Sequence, residues 1–169
     1  NKIYSVYEDR DSKLWIGTGA GVNVMREDSI STHPELKPLE SSTILSIYQD
    51  SRNEYWFTTD GEGVWHLDSR QSLTQYQEVN GMGSNRVRDV VEDEQGVLWF
   101  ATRDGLTKLE DGNFRTFTTR HGLPDNRLRD LELANDGSLW VASRAGLCNV
   151  ADTAFRCYTE EDGLVNNRI

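Results

Sequence analysis

Arginine recurs at two kinds of position in this chain. Arg86 and Arg127 each follow an asparagine just ahead of an apolar run, while Arg103 and Arg144 each close a tryptophan-bearing segment, "LWFATRDGL" and "LWVASRAGL". A guanidinium presents a rigid fork of N–H donors that matches a carboxylate or sulfate, so arginines repeated in loops can hold an anionic group. The same arginines would alternatively pair with Asp104, Asp125 or backbone carbonyls and tie structure together. His121 in "RHGLPDNR" and Asp60 and Glu62 in "TDGEGV" lie in comparable glycine-bearing segments and are further candidates for ligand contact.

Other chemistry is poorly represented. No paired carboxylates, Ser-His-Asp set or Gly-rich phosphate loop stands apart, so the chain is expected to be non-catalytic and to need no cofactor. His33, His66 and His121 have no Cys or His at ligand spacing, which argues against a metal site. "EDRDSK" carries Asp9 and Asp11 like a calcium loop but lacks its central Gly and late Glu, and turn chemistry accounts for it. With 18 Lys plus Arg against 28 Asp plus Glu the net charge is −10. A phosphate backbone would be repelled, and nucleic acid is not an expected partner. No run of 18 apolar residues occurs and the first residues do not form a secretion leader, so any link to a membrane is expected through flanking segments.

The residues that could do chemistry are set on a repeat. Trp15, Trp56, Trp99 and Trp140 are spaced 41, 43 and 41 residues apart. Ahead of them lie "IYSVYED", "ILSIYQD", "VRDVVED" and "LRDLELA"; behind each comes a further hairpin, clearest around Asp111-Gly112, a dipeptide suited to a two-residue turn. Each unit reads as four short strands joined by Gly, Asp and Asn turns. Apolar residues at i and i+3 of the first strand suggest a helix, but six residues between turns are too few for one. Four antiparallel strands per 41 to 43 residues is the period of a β-propeller blade. The repeats run over 1–41, 42–84, 85–125 and 126–166, with 167–169 opening another. The two extra residues of the second repeat fall in "TDGEGV" and "LDSRQSL", both expected loops.

The fold expected is therefore all-β: four four-stranded antiparallel blades forming part of a larger ring. The four tryptophans are expected between blades, each burial contributing roughly 1.5 to 3 kcal/mol. Trp65 stands where the other repeats have Asn23, Thr107 and Cys148, and is a candidate for facing a ligand or partner. Cys148 and Cys157 are the fourth pair out from a two-residue hairpin loop, a non-hydrogen-bonded pair whose side chains are close enough to bond. A disulfide there would add about 2.5 kcal/mol and suit an oxidising compartment; two facing thiols are the alternative. The Asn-x-apolar phase returns at 1–3, 85–87, 126–128 and 167–169, which leaves blade faces to be covered by further blades or by self-association.

"NRVRDVVEDEQGVLWFATRDGLTKLEDG" and "HGLPDNRLRDLELANDGSLWVASRAGL" resemble the two-component regulator propeller repeat, in which Leu-Pro-x-Asn-x-Val precedes the first strand and D-x-x-G-x-L-W-I-G-T-x-x-G-L follows. The first repeat departs, with "HPELKPLESSTI" in place of the Gly-Leu-Pro loop, and the second has Glu54 where glycine is expected. The resemblance implies a seven-bladed periplasmic sensor region of a hybrid histidine kinase or diguanylate cyclase that binds an extracellular small molecule, often an oligosaccharide, without catalysis. A propeller lyase or hydrolase acting on a polysaccharide or lactone, and a protein-interaction scaffold, are the alternatives.

Overall fold

A computed structural model describes residues 2–151 and 154–169. Asn1, at one end of the repeat phase, and Asp152 and Thr153 lie outside them. The chain folds into four antiparallel sheets of four strands, each in sequence order. Blade 1 comprises β1 (Ile3–Glu8), β2 (Leu14–Thr18), β3 (Gly21–Arg26) and β4 (Ser29–Thr32); blade 2 comprises β5 (Ile44–Gln49), β6 (Tyr55–Thr59), β7 (Val64–Leu67) and β8 (Leu73–Tyr76). Blade 3 comprises β9 (Val87–Glu92), β10 (Leu98–Thr102), β11 (Gly105–Glu110) and β12 (Asn113–Phe117); blade 4 comprises β13 (Leu128–Leu133), β14 (Leu139–Ser143), β15 (Gly146–Ala151) and β16 (Ala154–Tyr158). The first strands β1, β5, β9 and β13 lie side by side, so the sheets fan around a shared inner edge as propeller blades do. Both extra residues of blade 2 sit in turns, at 60–63 and 68–72.

The i, i+3 pattern of the first strands has a simple cause. In every blade the pairing of first and second strand slips by one residue just after the first strand begins, as between Ile44↔Thr59 and Ser46↔Thr58. This β-bulge adds one residue without a partner, which returns residues i and i+3 to the same face. Ile44 and Ile47, Val87 and Val90, and Leu128 and Leu131 are all buried between blades. The bulged residues Tyr4, Leu45, Arg88 and Arg129 instead line one cavity of about 310 Å³ at the inner edge.

A second device repeats at the opposite ends of these strands. The carboxylates of Asp9, Asp50 and Asp93 each accept two backbone N–H bonds that close the turn into the second strand, and a third from the indole Nε1 of Trp15, Trp56 or Trp99 at 2.7–3.0 Å. One side chain thus fixes the turn and the packing of the tryptophan. These three indoles are at most 6% exposed and lie between blades. Blade 4 has Ala134 in the aspartate position. There Asp136 and Ser138 close the turn, Trp140 donates to Ser138 Oγ at 3.1 Å, and the indole is only half-buried. The glycine position of this turn is Asn53 in blade 2, not Glu54 as the sequence alignment had it. Asn53 adopts φ 61°, as Gly96 and Gly137 adopt φ 79°, and asparagine tolerates the left-handed region well.

Cys148 and Cys157 face each other across β15 and β16 with their Cα atoms 4.0 Å apart and are joined by a disulfide. At the same place in blade 3, the Thr107 and Thr116 hydroxyls are 2.9 Å apart. Short 3-10 turns occupy the connections between blades, which four-strand patterning alone does not reveal. The first, Pro34–Leu39, buries Leu36 and Leu39 against blades 1 and 2, which is how "HPELKPLESSTI" substitutes for the shorter loop.

Candidate functional site: an arginine-lined inner rim

Connections from the fourth strand of one blade to the first of the next, and turns from second to third strand, emerge on the same face. On that face the structure gathers Arg86, Arg103, Arg127 and Arg144, the four arginines singled out by the sequence, into one cleft. Arg88 and Arg129 join them, which sequence reasoning missed. Read as members of an alternating strand, these two had no reason to point at the loops; the bulge after Val87 and Leu128 turns them to the inner edge. Their signal was the repeated Asn-Arg-apolar-Arg-Asp of "NRVRD" and "NRLRD".

The charge balance of the cleft is unusual for so acidic a chain. Arg86 forms an ion pair with Asp60, reinforced by a backbone bridge between the same two residues. Among the described residues, Arg88, Arg103, Arg127, Arg129 and Arg144 form no ion pair within 4.0 Å. Asp125 spends one carboxylate oxygen on the Arg127 backbone N–H at 2.6 Å. Desolvation, then the charges of Arg127, Arg129 and Arg168, pull the basicity of Arg144 below that of an ordinary guanidinium, with Asp125 opposing. An anion entering the cleft would meet fork-shaped donors that have no internal partner.

The remaining candidates make contacts within the protein. Glu62 accepts from Ser42 Oγ at 2.5 Å and its carbonyl accepts from Gln75 Nε2 at 2.8 Å, which anchors the junction of blades 1 and 2. His121 accepts the Thr118 backbone N–H at 3.0 Å on Nδ1 and sets its edge against Phe117, closing a 3-10 turn away from the cleft. Trp65 is partly buried and packs against the core between blades 1 and 2, and its Nε1 lacks a hydrogen-bond partner. Asp50, Glu54 and His66 bring ligand-type atoms within 4.8 Å of one another. That group is engaged internally, since Arg52 lies 3.2 and 3.4 Å from the two carboxylates and His66 Nε2 lies 2.9 Å from Glu54.

Beside the arginines, Asp89 on β9 accepts from Ser46 Oγ of blade 2 at 2.8 Å and from the Leu131 N–H of blade 4 at 3.0 Å, tying three blades at the rim. Burial pushes its carboxyl up to about 6, with the charge of Asp130 adding, although both hydrogen bonds pull the other way. A folded value above the unfolded one means that Asp89 stabilises most fully below about pH 4. That contribution is lost as pH rises through about 6, on the order of 3 kcal/mol in all. Urea denaturation of the wild type and Asp89→Asn between pH 4 and 7 should show the difference between them changing by roughly that amount. A difference that stays flat with pH would show that Asp89 titrates normally.

Among the described residues no helix is long and apolar enough to cross a membrane. Residues 1–20, 38–61 and 81–104 match the family model described as "Two component regulator propeller", each segment running across the first strand of a blade into its second. Over 116 residues the chain is 25% identical to histidine kinase P4 of Formosa agariphila and spans 8% of its length. It is similar to the extracellular domain assigned to a hybrid two component system of B. thetaiotaomicron, with a TM-score of 0.89 and 21% identity over 99% of this chain and 24% of that one. A one component system's extracellular domain from the same organism gives 0.81 at 19% identity, covering 94% of this chain and 24% of that one. Virginiamycin B lyase of Staphylococcus aureus gives 0.75 at 16% identity, over 94% of this chain and 55% of that one. Segments in three successive blades are thus similar to two component regulator propeller repeats, on a fold shared with these propellers.

Proposed function

We propose that these blades are the ligand-sensing part of a signalling protein, lie on the extracellular or periplasmic side, and bind their ligand at the arginine-lined rim without transforming it. The observation that carries this reading is the meeting of arginines from two loop types and two first strands in one cleft, five of them without an ion-pair partner among the described residues. Loops on a rigid scaffold are where propellers place recognition. The disulfide of blade 4 suits an oxidising compartment, and the extracellular domains of similar fold support that location. A carboxylate- or sulfate-bearing oligosaccharide fits the donors. Ile3 and Val6 are 60% and 59% exposed where their counterparts in the other blades are buried, which supports packing of blade 1 against a further blade or a second copy.

Calorimetric titration of the protein with sulfated and neutral forms of the same oligosaccharide tests the reading. Binding should require the charged groups and weaken at least tenfold in Arg127→Ala/Arg144→Ala, the expected loss for charge-assisted hydrogen bonds worth about 1.5–3 kcal/mol. Equal binding of the neutral sugar, or no change in the double variant, would refute it. One observation favours an enzymatic reading: a carboxyl pushed up to about 6 beside arginines has the properties of a general base. Turnover of the bound ligand, abolished by Asp89→Asn, would establish that reading instead.

A further inference from the structure

We infer that the rim is built for a ligand carrying two anionic groups, one held by blade 3 and one by blade 4. This rests on the rim being the ligand site. The six arginines are two copies of one arrangement. Blade 3 supplies Arg86 from the loop before its first strand, Arg88 from the bulge of β9 and Arg103 from the turn between β10 and β11. Blade 4 supplies Arg127, Arg129 and Arg144 from the same three places. Blade 2 has Thr43, Leu45 and Asp60 at these positions, and blade 1 has Lys2, Tyr4 and Gly19. The set is therefore complete in two adjacent blades only, among the described residues. Asp60 bounds it on one side by taking up Arg86.

A single small anion would satisfy one triad and leave at least two unneutralised arginines of the other beside it. Two linked anionic groups would neutralise both, and the second would bind at the high effective concentration that the linkage provides. Packed sheets lie about 10 Å apart and draw closer where blades converge, so the two groups should be separated by somewhat less than roughly 10 Å. Medium-length dicarboxylates and disulfated or uronate-bearing disaccharides share that chemistry.

The experiment is titration of the protein with malonate, glutarate, pimelate and azelate at constant ionic strength, with acetate and sulfate as single-anion comparisons and a disulfated disaccharide as a separate arm. Affinity should peak at one intermediate chain length and exceed that of acetate at least tenfold. Arg103→Gln and Arg144→Gln, both at exposed turn positions, should each reduce dicarboxylate affinity to the acetate level while leaving acetate binding within threefold, because one triad remains. The double variant should lose both. A matching drop for the disulfated disaccharide would identify the sugar as the source of the paired charges, and its absence would leave the small dicarboxylate. Dicarboxylates that bind no better than acetate at every length, or single variants that retain full dicarboxylate affinity, would overturn the two-anion inference while single-anion binding still upheld the rim as a ligand site. Failure of every anion to bind would remove both.

Discussion

Alanine at position 9 should lower the unfolding free energy by about 4 kcal/mol, since it strands several buried donors at about 1–3 kcal/mol each. The Asp9 side chain is buried, and its carboxylate accepts the N–H groups of Asp11 and Lys13 at 3.0 and 2.9 Å on one oxygen. On the other it accepts Trp15 Nε1 at 2.8 Å and the Tyr55 hydroxyl of blade 2 at 2.7 Å. Burial raises the carboxyl, but the donors from Trp15, Tyr55, Lys13 and Asp11 outweigh it and hold Asp9 below the ordinary range. Its contribution is accordingly present above about pH 4 and lost as the pH falls through the depressed value. Asp9→Asn keeps one acceptor oxygen and should cost less than alanine. Urea denaturation at pH 7 and pH 3 checks both: the alanine deficit should be large at pH 7 and shrink in acid. A deficit under 1 kcal/mol at pH 7 would mean that water replaces the carboxylate.

Gly63→Ala should be at least as damaging, with a loss above about 4 kcal/mol, because strain and a hard clash coincide. Gly63 has φ +79°, and a Cβ there would stand 2.0 Å from the carbonyl oxygen of Tyr76. Its own N–H donates to Asn85 O at 2.7 Å and its carbonyl receives both the N–H and the hydroxyl of Thr59, so the backbone has no room to withdraw. Gly61, two residues earlier, also has positive φ at +123°, but nothing lies within 4 Å of its added Cβ. Gly61→Ala should cost only about 1–2 kcal/mol, the backbone term alone. Thermal denaturation of the two variants separates sterics from conformation, and equal losses would show that the Tyr76 contact yields. The turn also carries Asp60, so Gly63→Ala should disturb the Arg86 pair and change anion affinity at the rim, whereas Gly61→Ala should change it less.

The architecture was legible because the tryptophans and turn residues repeat in register, and a strand slip is intolerable while a loop insertion is not. What escaped was local geometry that period-two patterning cannot express. Ile44 and Ile47 looked helical because the extra bulged residue is invisible in sequence, and Arg88 and Arg129 were hidden by the same feature. Trp65 departs from its repeat equivalents, and the sequence could not show that its ring packs against the core between blades 1 and 2. Asp9 was visible as a turn former, but the hold of Asp9, Asp50 and Asp93 on the indole needs a side chain reaching six residues along the chain. The four loop arginines could be found because they recur on one face; the sequence could not show that, among the described residues, their acidic neighbours leave three of them without an ion pair.

The irregularity shared by all four inner strands separates two structural demands. Ile44, Ile47 and their counterparts answer to close packing, where a change of one methylene is felt. The bulged residue after the first of each pair instead lines the cavity at the inner edge, and across the four blades it is Tyr, Leu, Arg and Arg. Changes at these four positions would alter the lining of the inner edge while leaving the packing between blades in place.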